Sequence, residues 1–136
     1  MAEDCIFCKI IAGEIPSAKI YEDDKVLAFL DINPINPGHT LVIPKAHSGN
    51  LSAASEDDLV AVIKAVKKLA PAVIKGVGAQ GLNLGVNNGA AAGQIVNHLH
   101  FHIMPRFEGD GYQLWGGKPY KEGEMEEVAE KIRKFL

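Results

Sequence analysis

The sequence contains no run of the roughly 18–20 apolar residues that a membrane-spanning helix requires. It shows no internal repeat, no low-complexity tract and no long linker. A basic patch is also missing: 14 Lys and Arg against 17 Asp and Glu leave a net charge of −3. The densest basic cluster, Lys64, Lys67 and Lys68, has the spacing of a solvated helix face. Nucleic-acid binders concentrate their Lys and Arg, so nucleic acid is not expected as a partner, whereas a nucleotide-sized ligand stays compatible. The opening residues Glu3 and Asp4 do not fit a signal peptide. Only two cysteines occur, Cys5 and Cys8, and the expectation is a cytoplasmic protein in which both are reduced.

What is present is enough apolar chain for a core. With 136 residues, 47% of them hydrophobic, the expectation is one domain over residues 1–136. Cys5 to Ala12 reads as a two-turn helix before Gly13. Lys19 to Glu22 and Val26 to Leu30 read as strands joined by an acidic hairpin turn, and Thr40 to Ile43 as a third strand stopped by Pro44. Residues 31–39 carry two prolines and a glycine and form a loop. Ser55 caps a long helix whose apolar positions run from Leu59 to Ala70; Pro71 is expected to kink or end it, with Val73 and Ile74 as a continuation of the apolar face. Leu82 to Val86 and His98 to Met104 read as strands, and Met125, Val128, Ala129 and Ile132 trace a C-terminal helix. Strands, helix, strands, helix in that order favour an α+β fold, an antiparallel sheet of about five strands with a long central helix, over repeated βαβ units.

The stretch His98-Leu99-His100-Phe101-His102 draws the chemistry. On a strand its three imidazoles share one face, while Leu99, Phe101 and Ile103 share the other. Three readings stand: solvent-facing histidines, a metal centre at His98, His100 and His102, or nucleophilic catalysis by a neutral imidazole. The adjoining small-residue loop, Gly85 and Gly89 to Gly93, favours catalysis, because its backbone amides can approach a phosphate. Cys5-X-X-Cys8 is half of a zinc site or simply two small apolar residues on a helix; the βαβ context of a redox pair is missing.

The segment from Gly93 to Met104 resembles the signature of the histidine triad family, in which histidines alternate with apolar residues. Cys5 to Ile11, Phe29 to Pro34, and Pro37 to Lys45 are similar in order to its Hint-type branch, so the resemblance covers most of the chain. It implies a nucleotide-binding hydrolase acting at the α-phosphate of a nucleoside 5′-phosphoramidate or related (di)nucleoside polyphosphate. His100 would be the nucleophile, with His102, His98 and His39 beside the phosphate. Asn87, Gly93 and Gln94 match the phosphate or leaving-group side, Asp31 the ribose contact, and Ile6, Phe7, Ile10, Phe29 and Ile32 the base slot. For Ile10 and Phe29 plain core packing is an equal alternative.

Prokaryotic members with the same Cys-X-X-Cys bind zinc, which carries over to Cys5, Cys8, His47 and His98 as a structural site, with no catalytic metal. The family also implies a homodimer and a purine (AMP-like) substrate. Two features depart from the eukaryotic members: Ile95 replaces a hydroxyl residue, and the chain after Pro105 is longer, with the segment from Gly109 to Gly117 a candidate for the leaving-group side. The competing function is a zinc-binding nucleotide-binding or interaction module with little turnover.

Overall fold

Asp23 closes the first hairpin: its Oδ1 accepts the backbone N–H groups of Lys25 and Val26, each at 2.8 Å. This side-chain turn joins β1 (Lys19–Glu22) to β2 (Val26–Leu30) where the acidic stretch predicts it. The computed structural model describes residues 4–136; Glu3 of the acidic opening lies outside the described residues. A short helix, α1 (Ile6–Ile11), precedes the hairpin, and β3 (Thr40–Pro44) follows it. Then come the long α2 (Glu56–Val77), β4 (Gly81–Val86), β5 (Phe101–Arg106) and α3 (Glu124–Arg133). The five strands form one antiparallel sheet in the order β1-β2-β3-β5-β4, the α+β architecture expected from the sequence.

Both faces of the sheet are covered at β2 and β3, which explains why β2 reads as an unbroken apolar run rather than an alternation. Val26 and Ala28 join Val42 and Ile103 beneath Val62, Val66 and Leu69 of α2. Leu27 and Phe29 join Leu41 and Ile43 beneath Phe7, Cys8 and Ile10 of α1. Each such side chain removed from water is worth about 1.5–3 kcal/mol, so α1, only six residues long, is held by its buried face and not by helix propensity.

Two expectations change. The last strand begins at Phe101, not at His98. The Leu99 N–H donates to the Ser48 carbonyl at 2.8 Å, and the Pro44 carbonyl accepts from the His98 ring at 2.8 Å, so neither serves the ladder. Only His102 of the triad is therefore strand-borne. Second, of the outcomes open at Pro71 the helix does not end there: α2 runs on through Val73 and Ile74 to Val77 and stops at Gly78 in the left-handed conformation, φ 70°. Pro71 sits on the exposed side, where water can take the carbonyl it leaves without a donor, while Leu69 and Val73 on either side are buried against the sheet. The C-terminal α3 forms where its periodicity predicts, and none of its residues is buried. Its local support is exposed ion pairing of Arg133 with Glu126 and Glu130, worth a few tenths of a kcal/mol.

Candidate functional site

Between α1 and the sheet lies a cavity of about 390 Å³. Phe7, Ile10 and Phe29 wall it, Asp31 and Ile32 enter from the loop after β2, and Asn87, Gly93, His100 and His102 complete it. Ile10 and Phe29 do both things allowed by their sequence context: each is buried in the α1 core and each lines the cavity. Ile32 is instead 89% exposed. Ile6 and the departing residue Ile95 also line the cavity. Gln94, His39 and His98 stand outside its wall. The Gln94 amide closes the neighbouring loop, donating to the Gly49 carbonyl at 2.6 Å and accepting the Gly89 N–H at 2.9 Å. A larger cleft of about 700 Å³ lies between the β1–β2 turn and α2, but mixed surface charges line it and no imidazole or thiol does.

His100 and His98 are buried, at 8% and 0% exposure, which removes the solvent-facing reading of the triad. Phe7 packs edge-on against both rings, 5.0 Å from His100 and 5.9 Å from His98 between centroids. His100 Nδ1 lies 2.7 Å from the His98 carbonyl. A carbonyl only accepts, so Nδ1 carries the proton and Nε2 of the neutral ring keeps its lone pair. His102 lies beside it, ring centroids 4.8 Å apart, on the strand face shared with Leu41.

Behind His102 sits His39, with Nε2 2.9 Å from His102 Nδ1 and 3.7 Å from Asp31 Oδ2. Burial pushes His102 down to about 4, helped by His100 and His39, so it is neutral near pH 7. Burial also lowers His39, against the pull of the Asp31 carboxylate.

The first triad residue faces elsewhere. His98 Nδ1 lies 3.4 Å from Cys5 Sγ, 3.6 Å from Cys8 Sγ and 3.2 Å from His47 Nδ1. Cys8 Sγ and His47 Nδ1 are 3.4 Å apart. Cys5, Cys8, His47 and His98 thus lie close enough to hold one metal ion. The three triad imidazoles do not converge in this way; among the described residues the other such group is Asp31, His39 and His102. That turns the geometry away from a metal centre made of His98, His100 and His102.

Residues 12–109 match the HIT domain, most of the chain. The chain belongs to the HIT family. A HIT-like protein of Methanocaldococcus jannaschii is 53% identical over 129 residues, covering 95% of this chain and 98% of its own. An adenosine 5′-monophosphoramidase of Schizosaccharomyces pombe is 40% identical, covering 94% and 95%. A HIT family structure from Bacillus subtilis superposes with a TM-score of 0.90 at 46% identity over 98% of each chain. A zinc-bound histidine triad protein from Mycobacterium smegmatis superposes with a TM-score of 0.77 at 34% identity, again over 98% of each.

Within this HIT fold, several groups that arrange the site carry no mark in the sequence. The carbonyls of Pro44 and His98 and the N–H of Ile35 fix which nitrogen of three imidazoles bears a proton. Leu41, which lines the cavity opposite His102 in the β3–β5 register, lies in a stretch that the sequence marks only as a strand, with no chemical signal of its own. No described helix of this HIT protein is long and apolar enough to cross a membrane.

Proposed function

We propose that this HIT protein is a hydrolase that cleaves at the α-phosphate of a nucleoside 5′-phosphoramidate or related (di)nucleoside polyphosphate. The observation that carries the reading is the His100 imidazole: its Nδ1 proton is engaged by the His98 carbonyl, and the ring lines the same cavity as Asp31. In the first step His100 Nε2 attacks the α-phosphorus, the bond to the leaving amine breaks, and the amine takes up a proton. Water then attacks the same phosphorus, the bond to His100 breaks, and a nucleoside monophosphate leaves. The proton given up by water balances the one taken by the amine. Such transfers depend on positioning and charge neutralisation, which a rigid imidazole can supply.

Asp31 would bind the ribose hydroxyls, and Phe7, Ile10, Phe29 and Ile32 a purine ring. Asn87, Gly93, His102 and His39 would flank the phosphate, with Gln94 acting through the loop that it closes. Cys5, Cys8, His47 and His98 would hold a structural zinc. The donor set supports this: two thiols and two imidazole nitrogens are the mixture zinc favours, and four protein ligands leave no open position for chemistry. The zinc-bound relative supports it too. A ligated His98 cannot serve as general acid through the same nitrogen. In keeping with the family resemblance, the proposal is completed by a cytoplasmic homodimer, each chain one domain over residues 1–136, needing no catalytic metal.

Incubation with adenosine 5′-phosphoramidate without added divalent metal should release AMP, and His100→Gly should abolish this. Turnover persisting in His100→Gly would remove His100 as nucleophile. A second reading, a zinc-binding nucleotide-binding module with little turnover, is favoured by Ile95, an apolar side chain at the cavity that is 94% exposed and has no hydroxyl to offer a leaving group. Saturable AMP binding with no release of AMP from the phosphoramidate would establish it.

A further inference from the structure

Asp31, His39 and His102 bring a carboxylate oxygen and two imidazole nitrogens within 4.8 Å of one another. The cluster is arranged for protons and not for a metal. The Ile35 N–H donates to His39 Nδ1 at 3.2 Å, so the neutral ring bears its proton on Nε2, the atom that would have to be bare to ligate. From Nε2 that proton meets His102 Nδ1 at 2.9 Å, and Asp31 Oδ2 stands next nearest at 3.7 Å, an ion-pair and not a hydrogen-bond distance. The carboxylate is held in this orientation by its other oxygen, which accepts the Asn33 N–H at 2.8 Å. A His102 ring that receives the bond on Nδ1 carries its own proton on Nε2. That atom is buried and has no hydrogen-bond partner. A buried donor without an acceptor is destabilising, and an incoming acceptor relieves this.

We propose that Asp31 is a positioning residue that couples sugar recognition to the proton arrangement of His39 and His102 in the same cavity. The inference rests on the reading of Asp31 as the ribose contact and His102 as a phosphate contact. A bare carboxylate competes with His102 Nδ1 for the His39 proton. Sugar hydroxyls donating to Asp31 occupy its lone pairs, and the His39 proton is left to His102 alone. The His102 Nε2–H is then committed to a phosphate oxygen. A nucleotide with sugar hydroxyls therefore organises its own phosphate contact, and one without them binds beside a less ordered histidine pair. Discrimination for the ribose form falls on kcat as well as on KM.

The test combines imidazole 15N NMR with kinetics, in the wild type and in Asp31→Asn, which keeps an oxygen for the Asn33 N–H but removes the charge. In the wild type the His102 Nε2–H tautomer should be more populated with AMP bound than with the 2′,3′-dideoxy nucleotide. In Asp31→Asn the two complexes should be alike. An Nδ1–H tautomer of His102 in the AMP complex, or the same populations with both nucleotides in the wild type, overturns the proposal whether or not the protein turns over. With a 2′,3′-dideoxy phosphoramidate, kcat should be several-fold higher in Asp31→Asn than in the wild type, because the competing acceptor is gone. If Asp31 only binds sugar, both proteins handle that substrate with equal kcat, and equal or lower kcat in the variant overturns the coupling. Absence of all turnover with the tautomer response intact would instead defeat the hydrolase reading and leave the coupling standing.

Discussion

The His98 ring donates its Nε2–H to the Pro44 carbonyl, 2.8 Å away, and so presents a bare Nδ1 to Cys5, Cys8 and His47. Burial lowers the pKa of His98, which keeps that nitrogen free to ligate. The purified protein should carry about one zinc per chain, lost in Cys5→Ser and retained in His100→Ala. Chelation should lower the denaturation midpoint; with free metal a thousandfold above its Kd the loss is about 4 kcal/mol. The two variants separate the cases by elemental analysis: metal kept in Cys5→Ser but lost in His100→Ala would relocate the site.

Acid should destabilise the fold before its carboxylates titrate. In the folded protein burial holds His102 at about 4, against an ordinary 6.5, and His39 is lowered as well. Below 6.5 the unfolded chain takes up protons that these folded rings refuse, so stability falls as pH falls through the window from 6.5 toward 4. A tenfold change in proton affinity is worth about 1.4 kcal/mol, so His102 alone accounts for at most about 3.5 kcal/mol, less whatever solvent at the ring takes away. Urea midpoints taken between about pH 7 and pH 5 should decline, and the decline should shrink in His102→Asn. A flat profile across that interval would mean the rings are hydrated and titrate normally.

The residues also show where sequence reading stops. β1 and β2 were legible to the residue because apolar runs there are bounded by Asp23 and Asp24. The start of β5 was not, since Leu-His-Phe-His alternates in any extended chain, paired or not. What decides it, the carbonyls of Pro44 and Ser48, lies some fifty residues away in sequence. At Pro71 the local rule left ending and continuation both open, and burial of Leu69 and Val73 on either side decides for continuation. Periodicity drew the apolar face of α3 but says nothing about where that face goes. At the site, the convergence of Asp31, Asn87, Gly93, His100 and His102 follows the family resemblance. The grouping of Cys5 and Cys8 with His47 and His98 came from that resemblance too; the Cys-X-X-Cys spacing supplied only half of it.

The uninterrupted passage of α2 through Pro71 makes a stabilising substitution available. Pro in a helix interior is about 3 kcal/mol less favourable than Ala. Loss of its stiffening effect on the unfolded chain gives back roughly 0.5–1 kcal/mol. The side chain is exposed, so no packing is lost. Pro71→Ala should therefore raise stability by about 2 kcal/mol, read as a higher urea midpoint with unchanged slope. No gain would show that the helix accommodates the ring without losing a useful hydrogen bond.

Two glycines at opposite ends of one contact should respond with opposite signs. Gly38, just before His39, has φ +93°, and a Cβ there would stand 2.8 Å from Val77 Cγ1 and 3.3 Å from Pro105 Cγ. Gly76 lies within α2, one residue before Val77, and a Cβ there meets nothing within 4 Å. Gly38→Ala combines backbone strain with overpacking and should cost about 2–4 kcal/mol. Gly76→Ala gains helix propensity and should stabilise by about 0.5–1 kcal/mol. Because Gly38 sets the approach of the His39 loop to the end of α2, its variant should also weaken AMP binding, whereas Gly76→Ala should not. If both variants shift stability in the same direction, the close approach of Gly38 to Val77 is not what fixes that loop.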